Sequence, residues 1–313
     1  MNTYRFERLS ESNMIFLISL YKECFRLKVN IGFLKRKYNT SSFGAEFIGF
    51  FAIDTTTNLP AGYYGVFPIY CELNGQRILA AQSGDTMTNP NHQGKGLFTM
   101  LAKMTYELAQ KEGINFVFGF PNKNSYPGFI KKLAWNHYGD INNYIIKTGS
   151  FPFDKLAKKF LPFRWVYGKY IDFKINSVKL NAFFKNSIAG QNPELGFVIH
   201  DQTFYDYKTY FKSYCIKIGN TRCFLKIDGS MWIGDIEFCS KGEFIKAVEG
   251  LICLAKKAGC SSIQFSVYKD TFYDKILKKR YEVKNKMPVG FVSFNKDISP
   301  EKMAYQAIDF DTY

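Results

Sequence analysis

The sequence has no run near the roughly 18 apolar residues that a membrane-crossing helix needs. Near its start "MIFLISLY" (14–21) is apolar but short. Glu7, Arg8 and Glu11 precede it and no small-residue cleavage site follows, so it reads as one face of an amphipathic helix, not a secretory signal. Paired cysteine spacing is also missing. Seven cysteines, at 24, 71, 215, 223, 239, 253 and 260, form no C-x-x-C pair, and the three histidines are far from them in sequence. This argues against a zinc site or a disulfide framework, predicts no metal, and suits a reducing cytoplasm. Acidic residues are in deficit, 27 against 42 basic, a net charge of +15. The imbalance invites an anionic partner: nucleic acid, a membrane surface or a phosphorylated small molecule. The tightest basic clusters, "FLKRKY" (33–38) and "KILKKR" (275–280), are short and interleaved with apolar residues. They read as solvated helix faces, so nucleic acid is not expected as a partner.

What is present is core material. Apolar residues make up 46% and aromatics 18% of 313 residues, enough for one large domain or two ordinary ones. Residues 10–28 and 30–38 read as helices, and 46–54 and 61–73 as aromatic-rich strands. Asn74-Gly75 marks a hairpin that returns through "RILAAQSGDTMT" (77–88). Leu97, Leu101, Met104 and Leu108 recur at helical spacing and Gly113 stops that helix. "INFVFGF" is a strand covered on both faces. "SYPGFIKKL" is a short helix, with strand following to about Lys147. From 149 the pattern loosens, and "SIAGQNPELG" (187–196) reads as a linker. After it, a helix closed by glycine (242–259), strand 260–268, a helix and turn (272–283) and strand 289–294 repeat the order seen across 97–145. The second helix is entered by "IEFCSKGEF", without the glycines of "HQGKG".

The most organised passage is "GDTMTNPNHQGKGLF" (84–98). A helix N-terminus offers unpaired N–H groups and partial positive charge, glycines allow close backbone approach, and Lys95 adds a full charge. The loop therefore reads as a phosphate or pyrophosphate cradle. A P-loop fails, because Asn89 stands where its first glycine should be and Gly96 where Ser or Thr should be. A dinucleotide fingerprint fails at Thr99.

"Q-G-K-G-L-F", preceded by "T-N-P" and followed by an amphipathic helix and an apolar strand, resembles the acetyl-CoA loop of the GNAT acyltransferase superfamily. Gln93 and Gly96 match that pattern, and Phe98 departs at its last position. With the surrounding order of elements the resemblance covers about residues 1–147. "FLKRKY", "YYGVFP", the loop and the tail "AIDFDTY" are similar to a tandem branch found with bacterial surface-polysaccharide enzymes. The resemblance implies an α/β fold with a mixed α+β sheet flanked by helices, in two GNAT-like halves of which the second is degenerate. The expected domains are an acyl-CoA-binding unit at 1–148, a connecting segment at 149–195 and an acceptor-shaping unit at 196–313.

It also implies site roles. Backbone N–H groups of Gln93, Gly94, Lys95, Gly96, Leu97 and Phe98 would hold the CoA pyrophosphate. Met87 and Thr88 would pair through their backbone with pantetheine, and Asn122 matches the asparagine that contacts it. The thioester would lie where two strands splay, with Phe98, Met87 and Phe120 bearing on acyl size. Acyl transfer needs a base for the amine and stabilisation of the thiolate, and no covalent intermediate, so each cysteine reads as core. Asp85, among small and apolar residues, is the first candidate base, with His137 the alternative. His92 reads as a phosphate-side or surface residue. The usual acid tyrosine falls on Phe129 or Ile130, so Tyr126 or Ser125 would substitute. Ser125 is also placed on the cofactor.

The branch's acceptor is an amino sugar on a nucleotide diphosphate. Arg222, Lys226 and Trp232 are candidates for binding it, as is Tyr313 at the C-terminus. The expected activity is transfer of acetyl or a short hydroxyacyl group from acyl-CoA to a dTDP- or UDP-linked amino sugar, by a cytoplasmic, metal-independent enzyme of no preferred oligomeric state. Rival readings are another amine acceptor (an antibiotic, a peptide, an aminoacyl-tRNA-derived residue) or a non-catalytic acyl-CoA or nucleic-acid binder.

Overall fold

The structure, a computed structural model, describes residues 3–313, with Leu161 described by its backbone alone. Strand β1 (Tyr4–Arg8) leads to helices α1 (Ile15–Phe25) and α2 (Ile31–Lys37), then to β2 (Gly49–Asp54), β3 (Pro60–Leu73) and β4 (Gln76–Thr88). Helix α3 (Leu97–Lys111), β5 (Phe116–Gly119), α4 (Tyr126–Lys132) and β6 (Asn136–Lys147) follow. The middle holds α5 (Phe153–Lys159), α6 (Leu161–Asn176), β7 (Lys179–Leu180), α7 (Ser187–Gln191), β8 (Phe197–Val198) and α8 (Gln202–Tyr207). Last come β9 (Ser213–Ile218), β10 (Thr221–Ile227), β11 (Met231–Ile236), α9 (Lys241–Lys257), β12 (Ser262–Tyr268), α10 (Phe272–Lys278) and β13 (Val283–Ser293).

Local signals account for much of this. Asn74 and Gly75 take φ of 52° and 73°, the pair of positive values a type I′ turn requires, and so join β3 to β4. Leu97, Leu101, Thr105 and Ala109 are the buried stripe of α3, and Gly113 at φ 80° ends it. Phe116, Val117 and Phe118 of β5 are fully buried.

The chain forms two compact units. The first comprises the residues through Tyr138 with 206–210 and Pro288–Glu301; the second comprises Gly139–Tyr205, Phe211–Met287 and Lys302–Tyr313. In the first the strand order is β1-β2-β3-β4-β5-β13, antiparallel except for β4 beside β5. In the second it is β6-β12-β11-β10-β9-β7, antiparallel except for β11 beside β12. Each parallel pair is joined by a helix, α3 or α9, since a hairpin cannot join parallel strands. The fold is thus a mixed α/β sheet architecture, and the expected helix–strand–helix–strand repeat is present.

The repeat exchanges its final strands. After α4, β6 pairs with β12 of the second unit, from Ile141↔Tyr268 to Lys147↔Ser262. After α10, β13 pairs with β5 of the first, from Gly290↔Gly119 to Ser293↔Phe116. The units therefore do not follow sequence order. The stretch 187–196, read as a linker, contains packed residues: Ser187 and Ile188 are buried and the Asn186 side chain accepts the Ile188 N–H. The cap of its helix is the residue just before it, Asn186.

Candidate active site

β4 and β5 share two rungs, Ala81↔Val117 and Gln82↔Phe118. Among the described residues their ladder goes no further, so residues 83–88 and the chain beyond Gly119 splay apart. The cause lies on β4. A bulge shifts the β3–β4 register between Tyr63 and Gly65, with Asp85 in the left-handed region at φ 52°. A relay of hydrogen-bonded rings ties β3 and β4 to α3 and to Trp135. Trp135 Nε1 donates to the Tyr106 hydroxyl (2.8 Å), which lies 2.8 Å from that of Tyr64, and Ser83 Oγ donates to Tyr64 (2.9 Å). Burial pushes Tyr64 and Tyr106 well above the usual tyrosine range, so both stay neutral. A Cβ on Gly119 would meet the Trp135 ring at 3.2 Å, a tight contact, so the ring packs closely over the glycine backbone of β5.

From Thr88 the chain turns through 90–92, where the Tyr4 hydroxyl lies 2.9 Å from His92 Nδ1. Gln93, Gly94, Lys95 and Gly96 are exposed. Gly94 and Gly96 take φ of 75° and 77°, a conformation that side chains resist. Gly96 caps α3 without a side-chain bond, so the first-turn N–H groups from Leu97 and Phe98 onward are uncapped by any side chain. An anion there meets backbone donors, the positive end of a helix and the Lys95 ammonium. Phe98 packs against Phe129 (5.4 Å between centroids) and over Gly128, where a Cβ would come to 3.1 Å. Glycine opposite is what makes room for the aromatic at this loop position.

Around the splay, Met87 is buried and pairs with Tyr63, and Thr88 pairs with Gly62. Asn122 is exposed, and its Oδ1 accepts the N–H groups of Asn124 (2.9 Å) and Ser125 (3.1 Å), building the turn into α4. Ser125 is the cap residue of α4, and Tyr126 follows it. The Tyr126 hydroxyl lies 2.9 Å from His137 Nδ1, so two of the expected proton-handling residues are in direct contact.

Asp85 has other company. Its Oδ1 accepts Lys37 Nζ at 2.8 Å and its Oδ2 the Tyr38 hydroxyl at 2.8 Å. The side chains of Lys37 and Asp85 are only 3% and 6% exposed. Burial, then the Asp85 carboxylate, pushes Tyr38 well above its ordinary range and keeps it a donor. "FLKRKY" is therefore not wholly a solvated face, since Lys37 turns inward to the bulge; the other basic cluster, 275–280, does expose its lysines. Sequence reasoning missed Lys37 and Tyr38 as site-forming residues. It also missed Gln82, a buried amide at the last β4–β5 rung whose Nε2 has no hydrogen-bond partner among the described residues. Only its place two residues before "GDT" could have flagged it.

Residues 5–138 match the family model described as an acetyltransferase (GNAT) domain. Over this stretch, somewhat under half of the chain, the sequence is similar to a GNAT acetyltransferase domain. The whole chain shares its fold with solved structures of that kind. A GCN5-related N-acetyltransferase from Kribbella flavida is 8% identical, with 93% of this chain and 71% of that one covered and a TM-score of 0.60. A probable N-acyltransferase from Enterococcus faecalis is 14% identical, covering 94% and 73%, at 0.61. The N-myristoyltransferase of Saccharomyces cerevisiae, solved with myristoyl-CoA bound, is 8% identical, covering 99% and 84%, at 0.58. At these identities the likeness is one of fold. No curated protein matches the sequence. The match to the GNAT acetyltransferase model indicates an acyl-CoA-dependent N-acyltransferase. No helix among the described residues is long and apolar enough to cross a membrane, and no group of His, Cys, Asp and Glu among them could hold a metal ion.

Outside residues 5–138, the remaining candidates lie in the second unit. Arg222 holds Glu237 through Nε (2.9 Å) and a second guanidinium nitrogen, and donates to Phe183 O (2.6 Å). Lys226 Nζ donates to Thr312 O (2.5 Å) and lies 4.7 Å from the ring centroids of Phe211 and Tyr313. Trp232 is also beside it, at 6.0 Å. Tyr313 is buried, its hydroxyl donating to Trp232 O (3.0 Å). Lys226, Trp232 and Tyr313 thus form one cluster; Arg222 is held by Glu237 and Phe183. Of the cysteines read as core, Cys253 is exposed on α9, and burial pushes Cys24 and Cys215 up to about 11, away from nucleophilic use.

Proposed function

We propose that the protein moves an acyl group from acyl-CoA to the amine of a nucleotide-linked amino sugar. The observation that carries the CoA part is the uncapped N-terminus of α3 behind two left-handed glycines and Lys95, set beside the β4–β5 splay. Backbone N–H groups of residues 93–98 take the pyrophosphate, and the edge of β4 at Met87 and Thr88, beyond its last rung with β5, takes pantetheine. In the reaction the amine nitrogen bonds the thioester carbonyl carbon, the C–S bond breaks, the nitrogen loses a proton and the sulfur gains one. The Tyr126–His137 contact suits both transfers: His137 accepts the amine proton, Tyr126 donates to the leaving thiolate, and the hydroxyl is restored through Nδ1. Asp85, with both oxygens engaged by Lys37 and Tyr38, serves by holding the bulge that opens the splay.

The sugar acceptor rests on the tandem-branch resemblance and on the second unit's chemistry. A lysine among three aromatic rings suits a base and its phosphates. We place the acyl-CoA site in the first unit and acceptor selection in the second. The test is thermal stability against CoA, acetyl-CoA, hydroxyacyl- and long-chain acyl-CoAs, ATP, NAD, and dTDP- and UDP-amino sugars, followed by turnover of the stabilising pair. A ligand at about 100 times its Kd adds about 2.7 kcal/mol. Stabilisation by ATP or NAD but not by CoA overturns the reading. CoA without any sugar retains the acyl-CoA site and moves the acceptor to another amine.

A further inference from the structure

Helix α6 is apolar on two faces. Tyr167, Ile171 and Ile175 are buried in the second unit's core. On the opposite face Trp165 is 66%, Val166 54% and Phe173 75% exposed, and Phe160, at the joint with α5, is 58% exposed. A surface helix ordinarily carries polar side chains there, and a cluster of this kind marks an interaction surface.

Charge says what it meets. Lys159, Arg164 and Lys169 are exposed along the same two helices. Lys169 Nζ lies 3.9 Å from the Trp165 ring centroid, and Lys174 Nζ 5.8 Å from that of Phe173. Both acidic residues of these helices are already engaged. Asp154 is buried and accepts the N–H groups of Lys155 (2.9 Å) and Ser261 (3.3 Å). Asp172 takes Lys212 (2.7 Å) and Tyr214 (2.8 Å). The face on offer is aromatic and cationic. A second copy of the chain would bring like charge against like, whereas a lipid surface bearing phosphates offers both opposite charge and an apolar layer. Aromatic rings settle at the level of lipid headgroups while Lys and Arg extend along them to the phosphates.

We propose that the outer face of α5 and α6 docks the protein on an anionic lipid bilayer, lying along it without crossing. The inference is independent of the acyl-transfer reading. The test is co-sedimentation of the full chain with vesicles of phosphatidylcholine alone and of phosphatidylcholine mixed with phosphatidylglycerol, at low and high salt. Binding to the mixed vesicles only, weakened by salt, is expected, with a blue shift of Trp165 emission. The combined variant Phe160→Ser, Trp165→Ser, Phe173→Ser should bind the mixed vesicles at least about tenfold more weakly, as loss of three interfacial aromatics requires. Because those side chains are exposed, its melting temperature and acetyl-CoA affinity should match the parent's. Failure of the parent to bind the mixed vesicles overturns the proposal. So does unchanged binding by the variant, or self-association or RNA binding that the variant abolishes while vesicle binding is absent.

Discussion

Both units place a Gly-Asp dipeptide on the strand before their crossover helix, Gly84-Asp85 on β4 and Gly234-Asp235 on β11, and both sheets shift register there. Beyond the dipeptide the two chains part. After β4 the chain runs through a glycine loop to an α3 terminus with no side-chain cap. After β11 it runs directly to Ser240, whose side chain accepts the Glu243 N–H while the Glu243 carboxylate accepts the Ser240 N–H. The positive end of α9 already has its anion. At the second bulge Tyr313 also fills the space a Cβ on Gly234 would need, 2.6 Å from the ring, and residues 307–309 lie against β11 and β12. One architecture therefore carries a ligand-ready helix end and a self-satisfied one, and the difference is a few cap residues.

The aspartates diverge as well. Asp85 meets a lysine. Asp235 meets Ser187 N–H (3.0 Å) and Oγ (2.5 Å), with His200 Nδ1 at 3.8 Å, and burial pushes its carboxyl up to about 6.

The strongest way to probe this contrast is to remove the lysine. Lys37→Met leaves Asp85 buried without its cation and should cost about 3–5 kcal/mol in chemical denaturation, while Lys37→Met with Asp85→Leu recovers most of it. If the single variant is as stable as the parent, the two aspartates are alike after all. Next, Gly94→Val with Gly96→Val forces β-branched side chains into left-handed backbone, about 1–2 kcal/mol or more at each site. Acetyl-CoA affinity by calorimetry should fall by about a hundredfold. Smaller is the reciprocal change in the second unit. Ser240→Ala with Glu243→Ala should lower stability by about 1 kcal/mol and leave acetyl-CoA affinity untouched; a loss of affinity would break the comparison. The gentlest test is pH. Asp235 has a folded-state pKa of about 6, above its unfolded value of about 4. Between those values the native state holds the extra proton, so stability is highest below the window and falls as pH rises through it. Asp235→Asn should flatten that fall in melting temperature between about pH 4 and about 6.

Much of the first unit can be read from the chain because its signals are local: the Asn74-Gly75 turn, the α3 stripe stopped by Gly113, and the glycine loop that points to the cofactor class. The pairings that finish the site are not local. Nothing near Lys37 distinguishes it from Lys35 or Arg36, and its partner Asp85 is far along the chain. Tyr126 and His137 are separate candidates in the sequence, and Trp135 with the turn before β6 brings them together. The polar stretch 187–196 looks like a spacer because cap residues and linker residues share a composition. Strand exchange is invisible there, since the pattern of β6 or β13 describes a buried strand without saying which neighbour buries it.

That exchange governs how the molecule can be made. A ribosome delivers β5 long before residues 288–293, the strand that completes the sheet beside it. The first unit consequently waits, with one edge of its sheet unpaired, until that distant segment has been synthesised. Until then the edge is open to mispairing with other chains. A gene fragment ending at residue 148 would inherit the same exposed edge permanently, and would encode the loop on a sheet that lacks its last strand.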